Sequence, residues 1–127
     1  MYMFDEGENF LAKMLFGDQA IPATLYLGLY KNNYKLDEKM KLADMIEPGG
    51  SGYSRIPLSR GSWTVTNDQA TYAKQTLTAG WNWGKVCGYF IATSPDNSGK
   101  LLIAEEITPV NLLEGATVDV TPKLVFS

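Results

Sequence analysis

Between Asp5 and Phe16 the apolar residues Phe10, Leu11, Met14 and Leu15 recur at helical spacing, while Glu6, Glu8 and Lys13 take the other faces. This predicts a short amphipathic helix over residues 5–16. Asp5 followed by Glu8 has the form of a capping box, and Gly17 supplies the left-handed stop common at helix ends. A helix of about a dozen residues is marginal in water, so its stripe must dock on the chain's own core or on a neighbouring subunit. After Pro22 the period becomes two. Leu25, Leu27 and Leu29 face one way and Thr24, Tyr26, Gly28 and Tyr30 the other, which reads as a strand with two usable faces.

Residues 31–52 read as a surface excursion. Lysines and carboxylates alternate there with Leu36, Met40, Leu42, Ala43 and Ile46 in a partly helical rhythm, up to the breaker Pro48-Gly49-Gly50-Ser51-Gly52. Extended character returns from Tyr53 to Leu58, then Trp63 to Thr66, with a tight turn at Asn67-Asp68 and further short strands between Gln69 and Leu77. Gly80-Trp81-Asn82-Trp83-Gly84 reads as an aromatic loop bracketed by glycines. Val86 to Thr93 is the most strand-like run; Ser94 to Gly99 is a turn, and Leu101 to Ala104 returns as its antiparallel partner. Ile107 opens a connection through Pro109 and Glu114-Gly115 to strands at Thr117–Thr121 and Lys123–Phe126. The expected fold is all-β, an antiparallel, jelly-roll-like β-sandwich of seven to eight strands with a short N-terminal helix.

The 127 residues suit one domain, 1–127, and a 45% hydrophobic, 20% charged composition is that of a globular chain. A net charge of −3 leaves no basic surplus for phosphates, so nucleic acid is not an expected partner. No apolar run approaches the ~18 residues of a membrane span, and no basic leader precedes an apolar segment, so the product is expected in the cytoplasm when made and off the membrane. Without histidine the usual general base and commonest metal ligand are missing. The single cysteine, Cys87, lies in an apolar stretch and is expected to act as a small buried hydrophobe.

Several segments, in order, resemble a family of small tailed-bacteriophage virion proteins described as tail-fibre-like or as capsid decoration (cement) proteins. They are Leu15-Phe16-Gly17, the run from Pro22 to Tyr30, Gly49 to Arg55, Thr66-Asn67 with Ala70-Thr71-Tyr72, Trp83 to Val86, Gly99 to Leu102, and Glu114 to Val118. The similarity spans nearly the whole chain; the lysine-containing excursion and Cys87-Gly88-Tyr89-Phe90 depart from it. The resemblance implies a sandwich displayed on the virion, no catalytic residues, and self-association, with a trimer expected from the threefold sites of phage shells.

Of the sharper chemistries, the tryptophans Trp63, Trp81 and Trp83 could stack on sugars, but aromatic residues more often pack cores and subunit interfaces. Asp96-Asn97-Ser98-Gly99 lacks the further ligands of a calcium loop. Glu105-Glu106 and Asp37-Glu38 are adjacent carboxylates that point to opposite faces if extended. Gly49 to Gly52 lacks the lysine of a phosphate loop.

No cofactor, metal or enzymatic role is therefore expected. The leading expectation is a cement protein that binds the major capsid protein or other virion proteins, with a tail fibre or tail adaptor as the alternative and a glycan as a lesser partner. Contacts are expected at Phe10, Leu11, Met14 and Leu15 on the helix, along the excursion Lys31 to Glu47, and at Trp81 and Trp83 in the loop.

Overall fold

The computed structural model describes residues 1–50 and 52–126; Ser51, inside the predicted Gly49–Gly52 turn, lies outside the described residues. The chain opens with β1 (Tyr2–Met3) and α1 (Asp5–Phe16), then β2 (Thr24–Tyr30), β3 (Ile56–Ser59), β4 (Thr64–Thr66), β5 (Gln69–Thr71) and β6 (Gln75–Thr78). Next come the long strands β7 (Gly84–Ala92) and β8 (Leu101–Leu112), and finally β9 (Thr117–Val120) and β10 (Lys123–Val125). The fold is mostly β with one α-helix among the described residues, and the strands form antiparallel sheets ordered β1-β8-β7-β2-β3, β10-β5-β4 and β6-β9. The sheets are separate and unclosed. Among the described residues ten strands replace the seven or eight expected, because short pairings such as β1 with β8 carry too few residues to show a period.

The two-faced reading of β2 explains the layering. Leu27 and Leu29 join Val86, Tyr89, Ile91 and Ile103 of the large sheet in one core, which Phe10 of α1, Leu77 of β6, Val120 of β9 and Leu124 of β10 complete. On the opposite face Tyr30, Phe90, Ala92, Leu101 and Ala104 form a second core, closed by Leu36, Leu42 and Met45. The excursion thus turns Leu36, Leu42 and Met45 inward, while Ile46 stays half exposed. It is the second cover of the sheet, with one 3-10 turn at Leu42–Asp44.

Two reciprocal pairs keep that second core thin. In the β2–β7 register Gly28 lies opposite Phe90 and Tyr30 opposite Gly88, and each ring lies across the glycine facing it. A β-carbon on Gly28 would sit 2.6 Å from Phe90 Cε1, and one on Gly88 would sit 2.5 Å from Tyr30 Cζ. Both glycines are required by close approach.

Irregular chain over a core needs partners for its backbone. Lys31 N donates to Ile46 O at 2.6 Å. The buried Asn32 accepts from Ile46 N at 2.8 Å and donates to Asp44 O at 3.1 Å. From α1, Glu6 Oε2 accepts from Leu42 N at 3.0 Å and from Leu101 N at 2.7 Å, so one carboxylate ties helix, excursion and β8 together.

The helix has the predicted bounds but other ends. Phe4, fully buried, is the N-cap and makes no side-chain cap, while Asp5 is already helical. The expected capping box is absent because burying Phe4 fixes the entry, and Asp5 N instead donates to Glu38 O at 2.8 Å. Gly17 is extended (φ −131°), not left-handed.

The expected connection from Ile107 is also strand, since β8 runs on to Leu112. Val86 pairs with Val110 and Gly88 with Glu106, so three residues of β8 face one of β7; this bulge admits Pro109, which has no N–H for the ladder. A second irregularity, between the Ile91–Ile103 and Ala92–Leu101 pairs, leaves Leu102 without a partner on β7; it lies in the helix-side core with Ile103, and its carbonyl accepts from Phe4 N at 3.2 Å. Gly7 packs there, where a methyl group would stand 2.7 Å from Leu102 Cα.

Gly28→Ala and Gly88→Ala are each expected to destabilise the fold by about 1–3 kcal/mol through overpacking. Glu6→Ala, which strands two backbone donors, should cost roughly 2–4 kcal/mol, whereas Glu8→Ala on the exposed face stays within about 0.5 kcal/mol. Urea denaturation measures all four.

Candidate docking groove and polar cleft

The predicted contact residues part ways. On α1, Phe10 is buried in the helix-side core, Met14 packs partly against it, Leu11 is half-buried, and Leu15 is 75% exposed. The expectation that all four meet a partner is corrected for Phe10, whose side chain the protein's own core consumes. Phe16, not among the predicted residues, is 90% exposed at the end of the same helix. The stripe's helical spacing did not reach it, and its only signal was an aromatic residue beside the terminating Gly17.

Between α1 and the small sheet runs an apolar groove of about 220 Å³. Leu11 and Met14 of α1 line one side, Trp63, Leu124 and Phe126 the other, and Ile21 is also on the lining. Ile21 and Phe126 are about half exposed. Among the described residues that line the groove, Arg60 is the one formally charged. Trp63 is held edge-on to Tyr72, ring centroids 5.2 Å apart, so this wall is built rather than loose.

The aromatic loop also divides. Trp81 is 56% exposed over Gly50, but Trp83 is 2% exposed in the core, perpendicular to Tyr53 at 5.5 Å. Gly84 begins β7 at φ +83°, a left-handed conformation that favours glycine, and Trp83 N donates to Leu112 O at 2.9 Å. The loop therefore ends one residue earlier than its glycine bracket suggests, and Trp83 cannot be a partner contact.

On the other side of the large sheet lies a polar cleft of about 500 Å³. Tyr2, Tyr30, Tyr34, Lys35, Lys85 and Glu106 are among its lining, with Cys87, Ile107 and Pro109. Cys87 is half-buried, not fully buried as expected, and its thiol faces Lys31 O at 3.9 Å. Tyr34 hydroxyl accepts from Asn32 at 2.8 Å. The Tyr30 hydroxyl is buried with no hydrogen-bond partner among the described residues. Burial, followed by the negative charge of Glu106, pushes that hydroxyl far above the ordinary tyrosine range, so it is a proton donor at any ordinary pH.

A third polar cluster is internal. Arg55, buried, donates to both Glu47 oxygens at 2.9 and 2.8 Å, to Asn97 Oδ1 at 2.8 Å and to Ser94 O at 3.1 Å, with Asp96 O as a further acceptor. Its guanidinium stands 5.3 Å from the Phe90 ring centre. Tyr53 hydroxyl donates to Glu47 at 2.5 Å and accepts from Leu29 N at 3.1 Å. Burial opposes the charge on Arg55, but the hydrogen bonds and charge of Glu47 outweigh it and hold the group above its ordinary value. With its donors turned on the protein itself, this cluster joins the excursion to the 93–100 turn. In that turn Asp96 accepts from the Ser98 hydroxyl and amide at 2.5 and 2.9 Å, and these bonds lower its pKa.

Among the described residues no three His, Cys, Asp or Glu side chains are grouped to hold a metal, and no helix is long and apolar enough to cross a membrane. No family model matches the chain, and no curated protein is significantly similar to it.

Trp83→Ala should cost about 3–5 kcal/mol, while Trp81→Ala should change stability by less than about 1 kcal/mol. Thermal denaturation of the two variants separates the buried ring from the displayed one.

Proposed function

We propose that the chain is a non-enzymatic structural protein of a bacteriophage virion, a capsid decoration (cement) protein that binds and stabilises an assembled shell. The observation that carries this reading is the apolar groove and the exposed end of α1. Leu15 and Phe16 are exposed on the helix that lines one side, and the half-exposed Ile21 and Phe126 line the groove. Exposed apolar surface of this kind marks a protein-binding face, because such side chains gain most when a partner removes them from water. Cementing requires that gain and shape, not chemistry.

In this reading the small sheets and the large sheet are the two layers of a β-sandwich with jelly-roll-like connections, joined by the core that runs from Leu29 to Val120. The major capsid protein is the partner, and the protein self-associates as a trimer on the shell. The exposed Trp81 favours a second reading, a tail adaptor or fibre component whose indole face meets a host glycan.

Phe16→Asp should leave the thermal midpoint nearly unchanged, because the side chain is already in water, and lower co-sedimentation with assembled shells at least tenfold. Undiminished binding removes the groove face from the interface. A cryo-electron microscopy map of the virion decides between the readings. Density repeated over the capsid lattice is expected, and density confined to the tail overturns the cement role in favour of the adaptor.

A further inference from the structure

The polar cleft is built from four stretches of chain, at Tyr2, residues 30–35, 85–87 and 106–109. Its volume of about 500 Å³ lies within the range of small-ligand sites, roughly 300–1,000 Å³. Three observations define what it would take. Lys35 and Lys85 are two cationic residues on its lining, with Glu106 as the only carboxylate residue among the described residues that line it, in a chain whose net charge is −3. The buried Tyr30 hydroxyl has no partner among the described residues, although such a group ordinarily has one. The walls include the Tyr2 and Tyr34 rings with Ile107 and Pro109, surfaces that suit the C–H face of a ring.

A doubly charged phosphate would meet Glu106 as a like charge. A bare carboxylate would satisfy the lysines but leave Glu106 and the aromatic walls without partners. A ligand with one negative charge, several hydroxyls and one apolar ring face uses every group. We propose that this cleft binds a carboxylated sugar, its carboxylate held by Lys35 and Lys85, its hydroxyls by Glu106 and Tyr30, and its ring against Tyr34. Tyr2 belongs to a strand of two residues at the sheet edge and packs against the core that holds Tyr30. In this proposal its displacement exposes the buried Tyr30 hydroxyl to the ligand. The inference concerns the face of the large sheet opposite the groove, and it stands whether or not the groove binds a capsid.

The test uses the full chain, isotopically labelled, titrated with glucuronate, glucose and glutamate while amide resonances are followed by NMR. Glucuronate is expected to shift the amides of Tyr2, residues 31–35 and 85–87, and to bind at least tenfold more tightly than glucose or glutamate. Lys85→Ala, at an exposed position, should keep the dispersed spectrum and weaken glucuronate binding about tenfold. Tyr30→Phe keeps the ring over Gly88 and removes the unpaired hydroxyl; it should raise the thermal midpoint while weakening glucuronate binding, a combination a purely structural hydroxyl would not produce. Equal affinity for glucose, equal affinity for glutamate, unchanged binding in both variants, or no shift with glucuronate at millimolar concentration would each overturn the proposal.

Discussion

Two aromatic rings laid across two glycines set the thickness of this protein. Because Phe90 covers Gly28 and Tyr30 covers Gly88 in the β2–β7 register, the two rings lie flat over the second face of the large sheet, beside Leu101 and the small Ala92 and Ala104. A layer that flat can be closed by irregular chain. The excursion supplies Leu36, Leu42 and Met45 for the purpose, and no further sheet is needed on that side. A side chain at either glycine would lift its ring and, with it, the segment packed above. The opposite face follows ordinary rules, with large aliphatic residues from α1 and the small sheets meeting those of β2, β7 and β8.

Covering a core with irregular chain transfers the cost to hydrogen bonding, since each buried N–H and C=O must find a partner outside a ladder. Glu6, Asn32 and the Arg55–Glu47 pair meet much of that demand. The ion pair contributes little net stability as a pair, because bringing both charges out of water offsets most of their attraction; the loss of one partner is what costs about 3–5 kcal/mol. Its position matters more than its strength. Arg55 stands over the outer face of Phe90 and reaches both the end of the excursion and the 93–100 turn, so the ring that sets the layer also seats the group that locks its cover.

The parts legible in the sequence were those whose period survives their surroundings. The bounds of α1, the alternation of β2, the Asn67-Asp68 turn and the β7–β8 hairpin all came from spacing and turn residues. Failures arose where local signals pointed away from tertiary fate. The charges of the excursion hid the inward set of Leu36, Leu42 and Met45. Pro109 suggested the end of a strand where a bulge lets the strand continue. Gly84 suggested that Trp83 lay in a loop, whereas its positive φ starts β7 and leaves Trp83 beneath the surface. The groove was half legible, because α1 supplies one wall with helical spacing while the other comes from β5, β10 and their flanks. The cleft was not legible at all: Tyr2 and Pro109 meet there from opposite ends of the chain, and no local spacing encodes such a meeting.

The alternation of β2 links the two surfaces. Leu25 lines the groove on one side of the sheet and Tyr30 lines the cleft on the other, five residues along the same strand. Because the strand is held on both edges, by β3 and β7, neither surface can shift far without disturbing ladder bonds that the other also relies on. The architecture therefore places an apolar face and a donor-rich face back to back on one rigid layer. A subunit seated through the groove would leave the cleft facing away from the contact, so occupation of one surface does not obstruct the other.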